Sequence, residues 1–112
     1  MNEDERIVSE NDLEQDGLIT LFEGKPFSGY CLEYYENGQK SEEKHFKNGI
    51  EDGTRRKWIE DGRMIGEAYF ENGILMGYVK KWYESGCKKT EMHFNVKKIQ
   101  IKKHLFIGMK TE

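Results

Sequence analysis

The side chains best suited to chemistry are three histidines, two cysteines and a large set of carboxylates. His45 and His93 occupy one position of a repeating pattern, two repeats apart. With two strands per repeat at ~4.8 Å each, they stand roughly 19 Å apart in one sheet and cannot share a metal ion. His104 falls outside that position. No Cys-x-x-Cys or His-Glu-x-x-His occurs, so the zinc-ligand spacings are missing. No glycine-rich loop opens a helix to cradle a phosphate. No Gly-x-Ser-x-Gly occurs, and no Ser or Cys lies beside a persuasive base. The carboxylates recur with the repeat, whereas an acid–base pair needs two acids in unlike surroundings. The expectation is a chain that is not an enzyme, with no catalytic residue, no metal and no cofactor, acting by surface contact.

The elements that would position such contacts follow from a 24-residue offset. Phe22, Phe46, Phe70 and Phe94 form one column; Tyr34, Trp58, Trp82 and Phe106 form a second; Gly38, Gly62 and Gly86 form a third. A fixed period of this size signals stacked supersecondary units, none of which buries its apolar face alone. Each unit reads as two strands, the first rich in aromatics. A turn marked by Asn37-Gly38, Asp61-Gly62 or Ser85-Gly86 joins them. Asn-Gly predicts a two-residue type I′ hairpin, because that turn needs positive φ at both central residues. A longer loop, residues 47–52, leads into the next unit. The expected fold is all-β, a single-layer antiparallel meander of about three β-hairpin repeats with half-repeat caps. The predicted domain spans residues 17–110. Residues 1–16 read as an acidic lead-in, disordered or irregular, although Ser9-Glu10-Asn11-Asp12 could start a turn of helix. In the third repeat, Val96-Lys97 and Ile101 replace the expected Asn-Gly and Gly, which reads as capping of the last unit.

If Asn37 and Gly38 are the central turn residues, Tyr35 pairs with Lys40 and Tyr34 with Ser41. One face then carries Tyr30, Leu32, Tyr34, Ser41, Glu43 and His45. Its later counterparts include Arg56, Trp58, Ile65, Glu67, Tyr69, Lys80, Trp82, Lys89 and Glu91. We call this the aromatic-polar face. The other, the phenylalanine face, carries Cys31, Tyr35, Lys44, Phe46, Met64, Ala68, Phe70, Val79, Tyr83 and Met92. On this register Glu67 and Glu91 oppose Arg56 and Lys80, while Glu43 opposes Leu32 and has no charged partner. Trp58 and Trp82 read either as stacking along the sheet or as anchors for a partner, since Trp and Tyr dominate interface hot spots. The Glu43, Glu67 and Glu91 column reads either as cross-strand ion pairs or as an acidic ladder for a basic surface.

Composition narrows the partners. The chain has 112 residues, is 35% charged and 36% hydrophobic, and carries a net charge of -3. Residues 1–24 hold eight acids and one base, while residues 77–112 hold nine lysines and three acids. The acidic remainder offsets phosphate attraction by the lysine-rich end, so no nucleic-acid partner is expected. Cys31 and Cys87 fall in different columns and read as free thiols of a reducing compartment. The N-terminus lacks a signal-peptide pattern, and no apolar run reaches the ~20 residues that span a bilayer. A cytoplasmic location without membrane contact is expected.

The stretch Tyr34-Tyr35-Glu36-Asn37-Gly38, then Phe46-Lys47-Asn48-Gly49 and Gly53, resembles the bacterial variant of the membrane occupation and recognition nexus (MORN) repeat. Asp16-Gly17-Leu18 and Pro26-Phe27-Ser28-Gly29 look like the lead into that family, and the likeness covers about residues 16–107. Small bacterial proteins of this type are commonly classed as antitoxins or immunity proteins of polymorphic toxins. The resemblance therefore implies a monomer that forms a 1:1 complex with a cognate toxin domain and occludes its active site. Tyr34, Trp58, Tyr69 and Trp82 are the expected anchors, with Glu43 and Glu67 as charged partners. The alternative is a self-assembling or adaptor repeat scaffold without a toxin partner.

Overall fold

The computed structural model describes residues 6–93. The third-repeat cap, with Phe94, Val96, Lys97, Ile101 and Phe106, lies outside the described residues. Within them the fold is an all-β meander. Eleven strands run β1 (Ile7–Val8), β2 (Leu13–Asp16), β3 (Ile19–Phe22), β4 (Lys25–Pro26), β5 (Gly29–Tyr34), β6 (Lys40–Lys47), β7 (Ile50–Glu51), β8 (Gly53–Trp58), β9 (Met64–Glu71), β10 (Ile74–Trp82) and β11 (Lys88–His93). The main sheet follows the order β1-β5-β6-β8-β9-β10-β11, with β7 pairing β6. β2, β3 and β4 form a separate three-stranded sheet, where the sequence suggested only half a repeat.

The lead-in is structured from Arg6 onward, against expectation. β1 runs parallel to β5, with Ile7 opposite Tyr30 and Val8 opposite Cys31. Ser9 then caps a single 3₁₀ turn over Glu10–Asp12 in a reciprocal box with Asp12. Glu33 on β5 anchors this segment: its carboxylate accepts from the Ser9 hydroxyl at 3.3 Å and from the Glu10 amide. A polar sequence stays ordered here because the neighbouring strand supplies the acceptor, which no local pattern reveals.

Two kinds of turn alternate along the meander. Asn48-Gly49 and Asn72-Gly73 have positive φ at both residues, as does Glu23-Gly24. They close the two-residue hairpins Lys47/Ile50, Glu71/Ile74 and Phe22/Lys25. The sequence placed this turn type at Asn37-Gly38 and read residues 47–52 as a longer loop; the structure reverses that assignment. At Asn37-Gly38 only the glycine has positive φ. The Gly38 amide donates to the Tyr35 carbonyl at 3.0 Å and the Tyr35 amide to the Gln39 carbonyl at 2.8 Å. This is a three-residue loop, a turn followed by a left-handed glycine that bulges the strand. Residues 59–63 and 83–87 make the same pair of hydrogen bonds.

The core sits at the N-terminal end. Phe27 is 1% exposed and packs with Val8 and Cys31, against Leu13, Phe22 and Phe46. Its ring lies 5.9 Å from Phe22 and 5.8 Å from Phe46. Each described member of the phenylalanine column is thus covered: Phe22 also by Arg6 at 4.9 Å, Phe46 by Phe27, Phe70 by Arg55 at 4.6 Å. The second sheet is tied to the first at one turn. The Thr20 amide donates to the Gly49 carbonyl at 2.8 Å, and the Gly49 amide to the Phe27 carbonyl at 2.7 Å.

Any side chain at Gly49 is costly for two reasons. Its φ is +83°, and a Cβ there would sit 2.4 Å from Ile19 Cγ2. Gly38 has φ +92° but open space around it. Urea denaturation should show Gly49→Ala losing about 2–4 kcal/mol, from backbone strain plus overpacking. Gly38→Ala should lose only about 1–2 kcal/mol, from strain alone.

Candidate functional site

The aromatic-polar face is built by cross-strand pairing in three adjacent rows. In the first, Tyr30 opposes His45, Thr54 opposes Tyr69 and Tyr78 opposes His93. The Tyr30 and His45 rings lie 3.9 Å apart. Gly53 and Gly77 leave room beside this row: a Cβ at Gly53 would meet His45 Nδ1 at 2.6 Å, and one at Gly77 would meet Tyr69 at 3.9 Å. Tyr69 is half-buried; burial, with the Glu71 carboxylate adding to it, raises its phenol pKa.

The second row alternates charge. Its members follow the register Leu32, Glu43, Arg56, Glu67, Lys80, Glu91. Arg56 donates from Nε to Glu67 at 2.9 Å and from Nη1 to Glu43 at 3.5 Å. Lys40 adds a 3.0 Å bond to the other oxygen of Glu43. Glu43 is thus doubly partnered, contrary to its expected isolation, because its partners come from the next repeat and from the start of its own strand rather than from β5. At the far end Glu91 is bonded by Lys88 and by His93 at 2.7 Å, and these two partners hold its carboxyl down to about 2. The acidic column is consequently a mixed-charge row.

The third row carries the large aromatics, and the turn bulge sets its membership. The expected register holds from Tyr30/His45 to Glu33/Glu42 and then slips by one, so that Tyr34 opposes Lys40. Trp58 likewise opposes Met64, and Trp82 opposes Lys88. Lys40, Met64 and Lys88 therefore join this face in place of Ser41, Ile65 and Lys89. Lys89 instead reaches the Tyr83 ring of the other face at 5.5 Å. Lys40 lies 5.1 Å over the Trp58 ring. Tyr34, Gln39, Lys40, Trp58 and the glycines 38 and 62 line a groove of about 350 Å³ between successive hairpin tips. Tyr34 is 57% exposed and Trp58 half-buried.

The tips are fastened from behind. The Tyr35 hydroxyl donates to the Trp58 carbonyl at 2.8 Å, and Asn37 Nδ2 to the Glu60 carbonyl at 3.0 Å. Side-chain oxygens also cap each turn: Asn37 accepts from the Gln39 amide at 2.9 Å, Asp61 from Arg63 at 3.0 Å and Ser85 from Cys87 at 3.4 Å. The Arg63 amide, aided by its guanidinium, lowers the Asp61 carboxyl pKa.

All six candidate residues thus lie on one face. The structure joins Glu43 to Glu67 through Arg56, and Tyr34 to Trp58 around Lys40. Tyr69 stands in the first row, beyond the charged row from the tryptophans, and Trp82 stands one hairpin further along. The sequence reading overlooked Lys40 and the bridging role of Arg56. The recurrence of Asn, Asp and Ser before the turn glycine was the available signal, since all three have short side chains with an acceptor for the amide two residues on. Among the described residues, no group of three or more His, Cys, Asp or Glu side chains could hold a metal ion, and no helix is long and apolar enough to cross a membrane.

The two thiols differ sharply. Cys87 is exposed. Cys31 is buried, and burial, with Glu33 nearby, pushes its pKa from 9.0 up to about 11. A chromogenic disulfide reagent at neutral pH should modify one thiol in the folded chain and two in denaturant. Because the folded thiol keeps its proton longer than the unfolded one, stability should be complete below pH 9.0 and decline toward about 11.

The central arginine gives a second test. Removing it strips Glu67 of its ion-pair partner and leaves Glu43 with Lys40 alone. Arg56→Met should cost about 1–2 kcal/mol in chemical denaturation, whereas Lys80→Met, which among the described residues breaks no ion pair and loses only a contact over the Tyr78 ring, should cost less, about 0.5 kcal/mol.

No protein-family model, curated protein or solved structure matches the chain.

Proposed function

We propose that this chain is an immunity or antitoxin protein that binds a cognate bacterial toxin domain with its aromatic-polar face and occludes the toxin's active site. The observation that carries this reading is the groove between the first two hairpin tips, where an exposed Tyr34 and a half-buried Trp58 flank Lys40. Rigid aromatics on a sheet face offer large contact area at little entropic cost, and Tyr and Trp are the residues that dominate interface energetics. The Glu43–Arg56–Glu67 row beside them is already cross-linked, so its charges are presented in fixed positions. Fixed charges of alternating sign select a partner by register more than they add affinity. The resemblance of the repeats to the bacterial MORN variant supplies the toxin as partner; the geometry supplies the surface.

The complex is proposed to be a 1:1 heterodimer of a monomeric, cytoplasmic protein. The charged row sits between the aromatic rows, so a partner spanning Tyr69 and Trp58 must also meet Glu67. Affinity capture of the tagged chain from its host should retain a toxin domain in equimolar amount. Trp58→Ala should weaken the isolated pair by about 2 kcal/mol, roughly thirtyfold in Kd. Glu67→Lys, which also breaks the Arg56 ion pair, should weaken it further. Undiminished binding by both folded variants would remove the aromatic-polar face from the interface. A self-associating chain with no captured partner, followed by light scattering, would replace immunity with a scaffold role.

A further inference from the structure

The phenylalanine face carries a second surface of opposite character. Beyond the part covered by the small sheet, Lys57, Gly66 and Lys81 align in register across β8, β9 and β10. The neighbouring positions are Arg55, Ala68 and Val79. These six residues line most of a cavity of about 200 Å³. Its floor is small and apolar, because Gly66 contributes no side chain and Ala68 only a methyl group. Its rim is cationic. Lys57 and Lys81 are exposed and make no ion pair among the described residues, standing two strand spacings apart, ~10 Å. Arg55 is oriented by a two-pronged bond to Glu51, both distances 2.8 Å, and lies over the Phe70 ring. Glu42, opposite Lys57, closes one end. The Glu67 carboxylate, on the far side of the sheet, is engaged by Arg56.

The contrast with the aromatic-polar face is the informative point. There, Arg56 and Lys40 are neutralised by Glu43 and Glu67. Here, two lysines flank a trough with no carboxylate between them. We propose that this trough binds an extended, carboxylate-rich segment of another protein, laid over Gly66 with acidic side chains directed to Lys57 and Lys81. A protein segment fits better than nucleic acid. A phosphate backbone carries a charge every ~3.4 Å per strand and needs a long basic track, whereas this site offers two lysines that make no ion pair among the described residues and is ended by Glu42, opposite Lys57. The small floor admits a peptide backbone at close range, and its methyl groups suit the aliphatic stems of glutamate. This surface lies on the opposite side of the sheet from the one proposed for toxin binding and does not depend on that assignment.

The test uses a fluorescein-labelled octaglutamate peptide, with octaglutamine and a labelled twelve-residue thymidine oligonucleotide as comparisons, followed by anisotropy against the full chain. Octaglutamate should bind, octaglutamine should not, and affinity should fall as salt rises above ~0.1 M, where the screening length is ~10 Å. Lys57→Glu and Lys81→Glu should each weaken octaglutamate binding about tenfold, while Trp58→Ala, on the other face, leaves it unchanged. Circular dichroism of each variant checks that the sheet persists. Equal binding of octaglutamate and octaglutamine, indifference to both lysine reversals, or tighter binding of the oligonucleotide would each overturn the proposal. Loss of octaglutamate binding in Trp58→Ala alone would move the site to the aromatic face.

Discussion

One extra residue beside each tip turn governs the rest of the molecule. A strand presents alternate side chains to opposite faces, so inserting a residue transfers everything on one side of the insertion to the other face. Ser41, Ile65 and Lys89, just past the loops at 36–38, 60–62 and 84–86, are those insertions, left unpaired on the returning strands beside Tyr34, Trp58 and Trp82. The insertion brings Lys40 over the Trp58 ring and within reach of Glu43, and it places Lys88 beside Glu91 in the same way. Had the turns been two residues long, Lys40 would stand on the phenylalanine face and the groove at Tyr34 would lack its cation. The device is set by an acceptor side chain that holds the amide two residues on, with a glycine in between.

A long, thin sheet of this composition also needs a place to start. Apolar burial is concentrated around Phe27, where the small sheet, the N-terminal segment and the first repeat converge. From there each repeat leans on its neighbour through backbone pairing, arginine–aromatic contacts and ion pairs rather than through a thick core. Met76 is the one buried hydrophobic residue among those described that lies far from that cluster. Nearest-neighbour stability of this kind is the expected economy of a repeat protein. It also explains why cations lie over rings at five described positions: a guanidinium or ammonium group covers an aromatic face that no second layer covers.

The two faces consequently differ in how charge is handled. On the aromatic-polar face, acids and bases meet in one row and cancel, leaving aromatic area as its distinctive offering. On the phenylalanine face, Glu51 clamps Arg55, but among the described residues Lys57 and Lys81 make no ion pair across Gly66. Where the small sheet does not cover it, the main sheet presents two chemically distinct surfaces a single backbone thickness apart.

Much of this was legible in the residues themselves. The 24-residue columns determined an all-β meander, and the alternation within strands placed all six candidate residues on a common face. The pairings Tyr30/His45, Leu32/Glu43 and Arg56/Glu67 follow from counting outward from the turn, since a period of two carries no ambiguity once the starting pair is near enough. What counting could not supply was the turn's length. Asn-Gly serves both a two-residue turn and a three-residue loop, and the choice depends on hydrogen bonds and strand twist over the whole hairpin. Nor could it supply long-range partners. Glu33 ordering the acidic lead-in, Arg56 reaching back to Glu43 in the previous repeat, and Phe27 filling the space between two sheets all join positions distant along the chain. The order of side chains along each strand was therefore a property of the sequence; the face each tip residue joins, and the partner each charge finds, were decided only when the repeats stacked.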